Sequence, residues 1–313
     1  MIKNPAGKQE NDRIMLHQNV LKRRKLLIGA GTLAPALFMM PSLIIAQTQF
    51  SDGARKINFS GRQRMLIQRT GKFVCLAYQN PNPGPFLAAA AQTLALHQKT
   101  EAGLTNGDHE LGLKPETNTS VLNALTRANR VFEPYGQTIR EAIERRGVEL
   151  DHLQKIAELN GNALGEMDAA VNIIERVYKS AELSEKMAML INISGRQRMF
   201  TQRLILLLCL SRGGVIANDI RQDLFRTMNR FSLSLNILIR VTPGALQDEK
   251  SAPIIQRLNS AQNAWATLKE LISTTTWSAG DQYIADIQNA DKQSEDLLKR
   301  MNEIVLLYEE AAS

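Results

Sequence analysis

The 313-residue chain has little of what most catalytic and nucleic-acid-binding sites are made from. It has two cysteines, too few for a disulfide-rich scaffold or a multi-cysteine zinc site. Its four histidines, His17, His97, His109 and His152, are scattered. After residue 46 there is no Ser/His/acid order, no metal-ligand spacing and no Gly-rich phosphate loop, so neither catalysis, a cofactor nor a metal is expected. Aromatics make up only 5%, which argues against an antiparallel sheet protein and against stacking platforms for bases. The formal charge of +7 is also less than it looks. Residues 1–46 hold seven basic and two acidic side chains, leaving a net +2 for the rest. That near balance gives no footprint for nucleic acid.

What is present is 44% hydrophobic, 22% charged and rich in Ala, Leu, Gln, Glu and Arg, a composition that folds around a helical core. Residues 1–46 read as an export leader: Lys22-Arg23-Arg24-Lys25 precedes about twenty apolar residues that end at Ala46. Arg23-Arg24 followed by Leu26-Leu27 resembles a twin-arginine signal, with Lys22 where Ser or Thr is usual. The same stretch is long enough to serve as an N-terminal membrane anchor. Either way the remainder is expected in the periplasm, with membrane contact only through an uncleaved leader.

The strongest signal is an internal repeat. Residues 57–69 read INFSGRQRMLIQR and residues 191–203 read INISGRQRMFTQR, ten identities in thirteen positions at an offset of 134. Cys75 and Cys209 share that offset, and Phe132 and Trp265 nearly share it. The chain is therefore read as a leader (1–46) and two copies of one unit (47–185 and 186–313). Proline and glycine punctuation divides each copy into four helical stretches. The expected fold is all-α: two tandem antiparallel four-helix-bundle-like repeats. Periodicity running from Glu149 past Ile191 to about Leu210 suggests one long shared helix, which would stack the bundles end to end. A break at Asn192–Gly195, where Ser194-x-x-Gln197 fits a capping box, would place them side by side instead. The end-to-end arrangement separates Cys75 from Cys209, which are then expected to be free, buried thiols.

On a helical wheel Ser60, Gly61, Arg64, Gln68 and Cys75 share one sector, as do Ser194, Gly195, Arg198, Gln202 and Cys209. Arg62 and Arg69, like Arg196 and Arg203, fall on nearly the opposite side. Arg64 and Arg198 are the better candidates for enclosure, because Gly and Ser beside them permit close approach. Two planar guanidinium forks facing each other repel unless something negative lies between them. A small oxyanion such as nitrate or nitrite would satisfy both, with Ser60, Ser194, Gln68 and Gln202 completing its shell. The competing reading pairs each arginine with an acidic side chain as a structural bridge.

The INxSGRQRMxxQR segment resembles the N-terminal signature of type IV pili methyl-accepting chemotaxis transducers. It is similar also to the periplasmic nitrate/nitrite-sensing segment of the NarX/NarQ class of sensor kinases. That resemblance implies a helical sensor bundle, with the arginine before Met (Arg64, Arg198) gripping an anion and the glycine three residues earlier (Gly61, Gly195) beside it. It also implies that the duplication stands in for a homodimer, with a membrane receptor, sensor kinase or transporter as the partner. A structural or pilus-linked protein without a small ligand is the alternative.

Overall fold

The computed structural model describes residues 51–181, 183–215 and 219–313. The leader expected at 1–46 lies outside the described residues. Among the described residues eight helices follow in order: α1 (Asp52–Gln79), α2 (Gly84–Asn106), α3 (Thr119–Glu144), α4 (Leu150–Ala181), α5 (Glu185–Leu210), α6 (Ile220–Ala245), α7 (Asp248–Thr275) and α8 (Gly280–Ala311). Among the described residues there is no strand, only an isolated bridge between Asp108 and Leu113. The all-α reading with four helices per copy holds.

Local chemistry sets the ends. Ser51 caps α1 by accepting from the Ala54 N–H, Asn118 caps α3 through Ser120 and Val121, and Ser184 caps α5 through Met187. Gly107 ends α2 at φ +80°, where a Cβ would stand 2.8 Å from Pro115. Pro243 does not separate elements as expected; it sits inside the last turn of α6.

α1 packs against α2 and α4, and α3 completes the first bundle beside α4; α5, α6, α7 and α8 repeat that arrangement. The most extensive contact of all joins α1 to α5. Both helices are apolar or enclosed on almost every side, which is the mark of a central helix. Gly61 faces Gly195, and Cys75 faces Cys209, so α1 and α5 run parallel and in register along their length. The bundles therefore lie side by side. α4 also touches α5, and α8 touches α1, as a pseudo-two-fold relation between the copies requires.

Two expectations are corrected here. The long shared helix is two helices, because α4 ends at Ala181 and Ser184 starts α5. The break falls ten residues before Ser194, whose hydroxyl donates to its own helix at Leu190 and Ile191 rather than capping anything. The reversal at this break turns α5 back alongside α1 instead of extending away from it. The cysteines are consequently not free: Cys75 and Cys209 form a disulfide with Cα atoms 6.1 Å apart. They are fully buried, as expected.

Candidate functional site

The repeated motifs meet where α1 and α5 cross. A Cβ added to Gly61 would stand 3.9 Å from the Cα of Gly195, and the reverse contact measures the same. Absence of both side chains lets the backbones approach and leaves room beside them. Into that room come both candidate arginines. The Nη2 atoms of Arg64 and Arg198 lie 3.3 and 3.6 Å from the Gly61 Cβ position, and 3.6 and 3.4 Å from that of Gly195. The wheel thus selected two guanidiniums that do converge, and both are almost completely buried.

Their partners are reciprocal. Arg64 Nη2 donates to the carbonyl (3.3 Å) and side-chain oxygen (2.8 Å) of Asn192. Arg198 Nη2 donates to the carbonyl of Asn58 at 2.9 Å. Asn192 in turn donates to Glu175, and Asn58 to Glu309 (2.7 Å). Each arginine reaches across to the other copy, and each asparagine is held by the last helix of its neighbour's side. Asn58 and Asn192 stand in the second position of each motif, and Glu175 and Glu309 share the repeat offset.

At one point the symmetry fails. Arg64 Nη1 meets Asp168 at 2.6 Å, and Arg196 Nη2 meets the same oxygen at 3.3 Å. The offset carries Asp168 to Asn302, which accepts from Arg198 Nη1 at only 3.5 Å. Burial lowers Arg64 to about 10, opposed by Asp168; burial together with the charges of Arg62 and Arg64 lowers Arg198 to about 9. Burial works to raise the Asp168 carboxyl, but the two arginines outweigh it and hold it below its ordinary value. Burial keeps the Glu309 carboxyl above its ordinary value, with Arg55, Asn58 and Arg198 pulling the other way. Both arginines retain a buried Nε with no hydrogen-bond partner among the described residues.

The other candidates divide. Ser60 and Ser194 lie at the crossing but donate to carbonyls of their own helices, at Ile57 and at Leu190 and Ile191. Gln68 accepts from Arg203 at 3.2 Å, so it serves the opposite-face arginine, and Gln202 donates to Thr201. Arg203 also reaches Asn160 and Asp223, at 2.9 and 3.3 Å. Arg69 pairs with Glu295 at 2.7 Å, while Arg62 lies over the Phe59 ring. Gln63 and Gln197, which fit a capping-box pattern in the sequence, instead bind the second helix of each bundle at the carbonyls of His97 and Phe231. His97 stacks on Phe132 where Phe231 packs on Trp265, so the repeat extends to the aromatic pairs. His152 takes a structural role, its Nδ1 accepting from the Glu149 N–H at the start of α4.

Comparison with known proteins agrees with the duplication. The family model described as type IV pili methyl-accepting chemotaxis transducer N-term matches twice, over residues 45–155 and 181–298. No curated protein matches the chain, and no solved structure does.

Proposed function

Since the chain belongs to the family of type IV pili methyl-accepting chemotaxis transducer N-terminal regions, we propose that it is a non-catalytic periplasmic sensor module that holds a small oxyanion, such as nitrate or nitrite, between its two copies. The observation that carries the reading is the convergence of two buried guanidiniums at the Gly61–Gly195 crossing, each with an unpartnered Nε. Burial first, and the like charges of Arg62 and Arg64 second, disfavour the charged form of Arg198, and an anion received there would relieve both. Asn58 and Asn192 are the groups it would displace or share. Bound charge would change the balance along the α1–α5 seam, the largest contact in the molecule, and through it the relation of the two bundles. A membrane-bound chemotaxis component, receptor, sensor kinase or transporter would read that change. The Cys75–Cys209 disulfide supports an oxidising compartment and therefore export. Among the described residues no helix is long and apolar enough to cross a membrane.

The reciprocal bonds of Arg64 to Asn192 and of Arg198 to Asn58 favour a second reading, in which the motif is only a clasp between the copies. Calorimetric titration of the purified protein with nitrate, nitrite and sulfate separates the two. The sensor reading expects saturable heat that is lost in Arg64→Lys and Arg198→Lys, which keep the charge but not the planar fork. A folded wild type giving no heat with any of the three leaves the clasp.

A further inference from the structure

The failure of symmetry at Asn302 opens a different site. Beside it lies a cavity of about 440 Å³, bounded by α1, α2 and α8. Its lining is mixed: Arg62, Arg198 and the Glu295-paired Arg69 supply charge, and Leu96, Leu298 and Leu306 supply an apolar stretch of wall. Arg198 is 4% exposed and its Nε has no hydrogen-bond partner among the described residues. Arg62 makes no ion pair among the described residues; its guanidinium rests over the Phe59 ring, 5.8 Å from the centroid. Two cations therefore line a partly open space, and neither forms an ion pair among the described residues, although the Glu309 carboxylate attracts Arg198 from beyond Asn58.

The first copy shows what belongs in that position. There the equivalent arginines, Arg64 and Arg196, converge on one carboxylate oxygen of Asp168, at 2.6 and 3.3 Å. In the second copy the residue at the repeat position is Asn302, whose neutral oxygen sits 3.5 Å from Arg198. The protein thus supplies a carboxylate to one pair of arginines and withholds it from the other, at the side where a cavity adjoins them. We propose that this cavity binds an amphipathic organic carboxylate, whose head group takes for Arg62 and Arg198 the place that Asp168 takes for Arg64 and Arg196. The leucines of the lining would accommodate a hydrocarbon body behind the head group. Space of this size suits an organic molecule of some bulk and is more than a bare inorganic anion needs. The inference does not rest on the oxyanion reading, although the two share Arg198: one ligand would sit on the α1–α5 crossing and the other on the α8 side of it.

Octanoate is the probe, titrated calorimetrically into the full chain, with octanol as the uncharged control and nitrate in a parallel series. Saturable octanoate binding with none for octanol is expected. Asn302→Asp supplies the missing carboxylate from within and should weaken octanoate by about tenfold or more. This variant restores a pairing that the first copy already uses, so it should remain folded, with a denaturation midpoint at or above that of the wild type. Leu306→Asp, at a half-exposed wall position away from the glycine crossing, should weaken octanoate similarly and leave any nitrate heat intact. Absence of octanoate binding to the folded wild type overturns the proposal, as does equal binding of octanol or undiminished binding to Asn302→Asp. Nitrate heat without octanoate heat would remove this site and keep the oxyanion reading; octanoate heat without nitrate heat would do the reverse.

Discussion

The two copies keep the same seam and differ in how they neutralise it. At the last helix of the first copy, Asp168 is shared by Arg64 and the second copy's Arg196; at the last helix of the second, Asn302 meets Arg198 and lines a cavity with the first copy's Arg62. A homodimer cannot make such a distinction, because any acidic residue placed on one side appears on the other. A tandem duplication can, and here it has separated a closed ion cluster from a cationic space beside a cavity. The interiors diverge in the same manner. Gly71 in the first copy admits the Tyr135 ring, whose hydroxyl donates to the Ile67 carbonyl at 2.9 Å. The corresponding positions in the second copy are Ile205 and Leu268, both buried, so a small–large pairing has been exchanged for two aliphatic side chains. His97 likewise stands where Phe231 does.

These differences can be tested by removing what joins the copies and then what distinguishes them. The largest effect is expected from the double variant Cys75→Ala, Cys209→Ala. The disulfide closes a loop across 134 positions, and its loss should lower unfolding stability by about 4 kcal/mol in urea denaturation under non-reducing conditions. Next, Asp168→Ala strands a fully buried guanidinium and should cost about 3 kcal/mol. Asn302→Ala, at the equivalent place, should cost less than about 1 kcal/mol. Equal losses at the two positions would show that the asymmetry has no energetic content. Gly71→Ala places a Cβ 2.1 Å from the Tyr135 hydroxyl and should cost about 2 kcal/mol, seen as a fall in the denaturation midpoint.

A separate effect, spread over several pH units, is a dependence on pH. Burial lowers His97 to about 3, so the folded protein holds it neutral while the unfolded chain protonates it near 6.5. The unfolded state therefore binds the extra proton, and stability should fall as pH drops from 6.5 toward 3, by about 1.4 kcal/mol per unit for this one group. His97→Phe copies the second bundle and should remove that part of the slope. Asp168, held below its ordinary value by Arg64 and Arg196, contributes in the same direction lower down: its stabilisation is present above the unfolded carboxyl range and is lost as pH falls through the folded value. Denaturation midpoints measured at pH 7, 6, 5 and 4 for wild type, His97→Phe and Asp168→Ala separate the two contributions.

Much of this was legible in the residues. The ten identities between 57–69 and 191–203, together with the Pro/Gly punctuation, imply a duplicated helical bundle, and wheel geometry singles out Arg64 and Arg198 as the enclosed pair. Gln63, Asn58 and the pair Asp168/Asn302 were equally available to the eye, because one offset relates them all, but nothing local says that a lone Asp 104 residues from Arg64 is its partner. Ser60 and Ser194 looked like ligand groups or caps, yet a hydroxyl inside a helix can always bond the carbonyl a turn before it, and these do.

The amino-acid sequence by itself determined the class of fold, the copy number and the chemistry of the seam, because periodicity, capping and repetition are properties of neighbouring residues. Tertiary structure decided the rest. Helical periodicity passes through residues 181–185 almost unbroken, and whether the chain continues or turns back there depends on the free energy of burying α5 against α1, a contact between residues more than a hundred positions apart. Once that reversal is made, the disulfide, the reciprocal arginines and the uneven treatment of Asp168 and Asn302 all follow from the parallel register of two helices.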